Sequence, residues 1–306
     1  MQINEKEYYT SMGYLFLLAS LITGATKGYC GKKTSGYVNE YKDAMLVNAI
    51  RMMLCIFIGL GMIVFGGKTK FLHINSTILA VSLLSGVANA SFVVLWLVAV
   101  KKGAYMMLDV FCMLGILIPL IGCAVFFRET IRLNHIVGMG ILFIAVCIMC
   151  SYNNSIKSKL TISSLAVLLL CGVSNGFLDF SQKLFTKVSQ GVPIAVFNFY
   201  TYLFSTAILS VCCFVCWKNS DNKTLINIKP IFLYILIMSV CLFLYSYFKT
   251  LAARYLSSAQ LYPLSQSGSL ILSTMMSAAL FHERLNIKCV VGIALSFAAL
   301  IVINVL

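Results

Sequence analysis

Two carboxylates, Asp109 and Asp179, stand inside long apolar stretches of this 306-residue chain. An unpaired charge at the centre of a membrane helix costs about 2.5 to 3.5 kcal/mol even on the lenient insertion scale, so each needs a partner or a water-filled cavity. Asn175, Asp179 and Lys183 are four residues apart and make one helical stripe, a spacing that predicts an i,i+4 ion pair between Asp179 and Lys183. A buried Asp is also the natural carrier if protons drive the chemistry, because desolvation favours its neutral form. A second stripe, Ser258, Tyr262, Gln266, Ser269, Ser273 and Ser277, follows one helical face with Pro263 beside Tyr262. Its serines suit helix packing, whereas Tyr262 and Gln266 are bulkier and suit contact with a solute. Asn48 with Arg51, Ser85 and Asn89 with Trp96, Asn198 with Tyr202, and Tyr245 with Lys249 are the remaining polar residues in apolar surroundings. The candidates for solute binding or coupling are therefore Asn48, Arg51, Asn89, Trp96, Asp109, Asn175, Asp179, Lys183, Asn198, Tyr202, Tyr245, Tyr262 and Gln266.

Catalytic and metal chemistry find less support. Gly172-Val173-Ser174-Asn175-Gly176 matches the pattern of a nucleophilic serine, but His73, His135 and His282 all fall in loops or at helix ends. The same letters form a small-xxx-small face that lets two helices approach closely. Cys213 and Cys216 make one isolated C-x-x-C without a second pair or a nearby His, so neither a catalytic residue nor a metal or cofactor site is expected. No phosphate-binding loop appears, which argues against direct drive by ATP. Glu129 and Glu283 stand in turns just ahead of a helix, where a carboxylate favours exposed backbone N–H groups. A membrane-embedded transferase would need a clustered catalytic set, and a non-transporting receptor or scaffold is the other alternative.

The elements that must position these residues follow from composition. Hydrophobic residues make up 60% of the chain and charged residues 10%, and the mean hydropathy is +0.95, outside the range of soluble proteins. Apolar runs long enough for helices in lipid occupy 12–30, 44–66, 74–99, 104–127, 134–152, 161–186, 192–217, 230–252, 256–281 and 286–305. The net charge of +14 comes from Lys and Arg placed singly or in pairs between these runs, which suits lipid head groups and not nucleic acid. Lys27, Lys183 and Lys249 are expected inside helices, facing a cavity. The 12 Cys residues fall mostly within the runs, as small reduced hydrophobes do. Glu5 and Glu7 outweigh Lys6 ahead of the first run, which is expected to be a retained helix.

Phe127, Glu129, Val137, Gly138, Phe143 and Ala145 recur as Phe281, Glu283, Val291, Gly292, Phe297 and Ala299, at a constant offset of 154 residues. The polar stretch 152–159 divides the chain into halves, 1–155 and 156–306, with five runs in each. An odd number of spans per half forces opposite orientations. The expected fold is an all-α integral membrane protein of ten transmembrane helices in two inverted five-helix repeats, with a solute site near the bilayer midplane.

Phe126-Phe127-Arg128-Glu129 followed by Gly138, and Leu280-Phe281-His282-Glu283-Arg284-Leu285 followed by Gly292, resemble the ends of the two domains of EamA-type transporters in the drug/metabolite transporter superfamily. Arg51 matches a position where that family often places an Arg. The resemblance implies a secondary carrier with a central cavity that moves a small organic metabolite or drug-like solute by alternating access, with both termini in the cytoplasm. It implies a multi-pass protein of the lipid bilayer, expected in the cell (plasma) membrane, with protons as the coupling ion to test. Asp109 departs from the Pro that the family often has there, and the Lys and Arg bias of alternate loops points to the opposite orientation.

Overall fold

The computed structural model describes residues 3–38, 40–73, 75–101, 105–151, 162–189, 191–219, 226–281 and 287–305, and among these it is helical without strands. The helices are α1 (Ile3–Ser35), α2 (Tyr41–Phe65), α3 (Ser76–Lys101), α4 (Tyr105–Gly115), α5 (Leu117–Phe127), α6 (Leu133–Ser151), α7 (Ile162–Val188), α8 (Ile194–Lys218), α9 (Phe232–Tyr255), α10 (Ser258–Phe281) and α11 (Ile287–Val305). Nine of the ten apolar runs each become one helix. The segments Tyr41–Phe65, Ser76–Val100, Ile194–Lys218 and Lys229–Tyr255 are long and apolar enough to cross a membrane by length and composition. The polar stretch 152–159 and Glu283 lie outside the described residues.

The run 104–127 is broken between α4 and α5, a feature its composition hides. Pro119 has no N–H to offer the carbonyl of Gly115, and its ring crowds that carbonyl. The chain responds with a tighter turn in which the Ile116 N–H donates to Met113 O at 3.0 Å. At the far end of α5, Arg128 takes a left-handed φ of 53° and the Glu129 N–H donates to Cys123 O at 3.3 Å. This cap satisfies a terminal carbonyl and turns Glu129 back across the end of the bundle. Ahead of α2, Glu40 and Asp43 form a capping box, with the Glu40 N–H donating to Asp43 Oδ2 at 3.1 Å.

Helices from the two halves pack against each other in a regular pattern. α1 lies along α9 and α3 along α7; α2 lies along α8 and α6 along α11; α4 and α5 flank α7 while α10 flanks α1. Two of these contacts depend on glycine for close backbone approach. Gly172 and Gly176 of α7 press against the backbone of Phe111 and Gly115 of α4, where an added Cβ would overlap a carbonyl oxygen. The apparent serine-nucleophile motif is thus a helix-packing surface. At Gly138 of α6 an added Cβ would collide with the Ile303 side chain of α11 and crowd the Ala299 carbonyl. Gly172→Val is expected to destabilise the protein by roughly 3 kcal/mol, since helices this close cannot absorb extra methyl groups. Unfolding of the purified protein in detergent measures this, and a wild-type melting temperature would contradict the packing described.

Polarity is distributed inside out relative to a soluble protein. Phe57, Phe65, Val125, Phe126, Phe214, Leu233 and Ile301 are exposed, while Asn48, Arg51, Asn89, Asp179, Lys183, Asn198, Lys249 and Gln266 are buried. Such an exterior belongs in lipid, where buried polar side chains find partners only from other helices or from water in a cavity.

Candidate solute-binding site

A narrow cavity runs through the middle of the bundle, lined from α1, α3, α4, α7, α8, α9 and α10. Six of the residues singled out from sequence reach its wall: Asn89, Trp96, Asn175, Tyr202, Tyr245 and Gln266. Each is fixed by what lies behind it. The Asn89 side-chain amide donates to Ser205 Oγ at 3.0 Å and to Met52 Sδ at 3.1 Å. The indole of Trp96 sits against Gly31 of α1, where a larger residue would collide with it. Tyr202 is 1% exposed and donates to Leu242 O at 3.4 Å.

Lys27, Gln182, Thr201, Ser246 and Ser269 also line the cavity. Lys27 approaches it between Gly24 and Gly28, and its ammonium lies 4.2 Å from the centre of the Tyr245 ring. Three buried polar atoms at this wall have no hydrogen-bond partner: Asn175 Nδ2, Gln182 Oε1 and Thr201 Oγ1. Buried polar groups are almost always satisfied, so three orphans on one cavity wall mark a surface built to meet water or a solute.

Just beside the cavity, Asp179 and Lys249 form an ion pair across α7 and α9 at 2.6 Å, with their side chains 3% and 1% exposed. Lys249 also donates to Tyr245 OH at 3.1 Å, and Tyr262 OH donates to the Asp179 carbonyl at 2.7 Å. Here the structure corrects the i,i+4 pairing expected between Asp179 and Lys183. Lys183 instead donates to the carbonyls of Ala253 and Leu256, at 2.9 and 2.7 Å, and lies 3.4 Å from Glu129. The physical reason is that the C-terminus of α9 leaves carbonyls unpaired and carries a partial negative charge, which suits an ammonium. Lys249 is left to neutralise Asp179.

Glu129 also behaves differently from expectation. Rather than capping α6, it accepts from the Ser258 N–H at 2.9 Å and from the Ser258 hydroxyl, both at the start of α10. With Lys187 at 3.5 Å, it ties the α5–α6 turn to α7 and α10. Burial pushes its carboxyl up, but the two Ser258 hydrogen bonds and the charges of Lys183 and Lys187 outweigh burial and hold it below the ordinary value. Arg128, Arg132, Lys187 and Arg254 line a separate vestibule around this cluster.

The other candidates serve elsewhere. Asn48 donates to Ala44 O and Val93 O at 2.9 and 3.1 Å and accepts from Arg51, so these two residues bind α2 to α3. Asn198 Oδ1 accepts from Ser246 Oγ at 3.1 Å. Asp109 lies on α4, and its side chain falls outside the described residues. The polar stripe of α10 divides among three tasks: Ser258 binds Glu129, Tyr262 backs the ion pair, and Gln266 and Ser269 face the cavity.

A solved crystal structure shares this fold, with a TM-score of 0.74 over 96% of this chain and 97% of its own, at 14% sequence identity. No curated protein matches the sequence. Residues 158–305 match the model of the EamA-like transporter family. Over that stretch the chain is similar to EamA-like transporters, which fits the family resemblance carried by the two Glu turns.

Proposed function

We propose that this protein is a ten-span secondary carrier, built from inverted five-helix repeats at 1–155 and 156–306, that moves a small organic solute by alternating access through the central cavity. The observation that carries this reading is the cavity itself. It presents unpaired polar atoms within a bundle whose exterior is apolar, and both halves of the chain contribute to its wall. The helix contacts lend support. Exchanging the halves turns the α1–α9 contact into α3–α7 and the α3–α8 contact into α2–α9, while α2–α8 and α6–α11 map onto themselves. Contacts that survive such an exchange are those expected of two related units around a pseudo-two-fold axis. Asp109, Asp179 and the cavity-lining residues are the positions where solute or a coupling proton would act, and the cell membrane is the proposed location.

Flux into liposomes containing only the purified protein tests the proposal. Saturable uptake of an organic solute is expected, and Gln266→Leu should lower it severalfold while leaving the melting temperature nearly unchanged, since this side chain faces the cavity. Absence of flux across amines, amino acids, carboxylates, nucleobases and sugars would overturn the carrier reading in favour of a receptor or scaffold.

A further inference from the structure

Among the described residues, the charges around the cavity do not balance. Asp179 is occupied by Lys249 at 2.6 Å, so that pair offers no free carboxylate to a cationic solute. Lys27 has its ammonium over the Tyr245 ring and, among the described residues, no carboxylate within ion-pair distance. Arg51, buried nearby on α2, bonds Asn48 and likewise has no described carboxylate partner. Arg51 is buried and Lys27 partly so, and a cation withdrawn from water without a counter-ion is costly, a cost that an anion arriving from solution removes. The cavity wall repeats the preference, because Asn175 Nδ2 is a buried donor without an acceptor, on a residue 6% exposed.

We propose that the cavity selects a small organic monocarboxylate. This rests on the carrier reading of the same cavity and adds the charge class of the solute. The carboxylate is held by the Lys27 ammonium with help from the Asn175 amide, and the organic part lies against Tyr245, Trp96 and Phe92. One unpaired ammonium on the wall suits a single negative charge. A phosphate dianion would call for a forked guanidinium or several cations, and Arg51 does not line the cavity. An amine is disfavoured by Lys27. The ammonium of a zwitterion would find no free carboxylate among the described residues.

Thermal unfolding of the full-length protein in detergent tests this with matched probes of opposite charge: acetate against methylammonium, and benzoate against benzylammonium, at constant ionic strength. At least one carboxylate should raise the melting temperature and its ammonium partner should not. Lys27→Met should weaken the carboxylate effect at least tenfold in half-saturating concentration, about the worth of one charge-assisted hydrogen bond, while Lys27→Arg should retain most of it. Asn175→Leu, which leaves the charge in place, should weaken it severalfold and keeps the test available if Lys27→Met does not fold. Stabilisation by an ammonium probe, no response to either carboxylate, or a carboxylate effect unchanged in Lys27→Met or Asn175→Leu would overturn the proposal. Liposome flux of the stabilising carboxylate separates the two readings: binding without flux refutes the carrier and leaves the anion site standing.

Discussion

Asp179→Asn is expected to destabilise the protein by about 3 to 5 kcal/mol, because it leaves the Lys249 ammonium, 1% exposed, without its counter-ion. The Asn side chain keeps the volume and can still accept one hydrogen bond, so the loss reports charge and not packing. Two double mutants sharpen the result. Asp179→Asn with Lys249→Met removes both charges and should recover most of the stability, giving a large coupling energy. Asp179→Asn with Lys183→Met should recover nothing, since Lys183 serves Glu129 and the end of α9, and the two losses should add. Denaturant unfolding of the wild type, of the single variants Asp179→Asn, Lys249→Met and Lys183→Met, and of the two double variants measures all of these. Recovery by Lys183→Met and not by Lys249→Met would reverse the pairing described.

Glu129→Ala should open one end of the bundle. This carboxylate joins the α5–α6 turn to Ser258 of α10 and to Lys183 and Lys187 of α7. Cys123, fully buried on α5 beside this cluster, is a native reporter. In a variant whose other cysteines are replaced by Ala, a water-soluble maleimide should label Cys123 slowly. Adding Glu129→Ala should accelerate labelling by at least about tenfold, equivalent to roughly 1.4 kcal/mol removed from the closed arrangement. Unchanged labelling would mean that closure of this end does not depend on Glu129.

The helical skeleton was legible in the sequence because apolar runs of this length leave a chain in lipid no other way to satisfy its backbone. The break at Ile116 was not, because the residues around Pro119 are as apolar as any span and the break spares hydrophobicity while changing hydrogen bonding. Asn175, Tyr262 and Gln266, singled out by polar stripes, are all buried. The stripes misassigned the partner of Asp179, since i,i+4 spacing makes a pair possible and tertiary packing chooses between that pair and a lysine 70 residues away. Lys27 was visible as a charge within a helix, at helical spacing from Ser20, Thr23 and Thr34, and Gly24 and Gly28 line the cavity on either side of it. Asn48 and Arg51 have the composition of a binding site and the geometry of a helix joint, a distinction that only the position of α3 reveals.

The broken span has a consequence for how such a carrier would rest. If the two halves of such a carrier were identical, the arrangements open to either side of the membrane would be related by the two-fold axis, with equal free energy and equal occupancy. The fourth helices of the two proposed repeats differ: the run 104–127 is interrupted at Ile116 between α4 and α5, whereas α10 continues through Pro263. A difference of only 1.4 kcal/mol between the two openings would bias their populations about tenfold. On the carrier reading proposed above, the broken α4–α5 span and the continuous α10 would make the two openings unequal, and the resting orientation of the cavity would follow from that inequality.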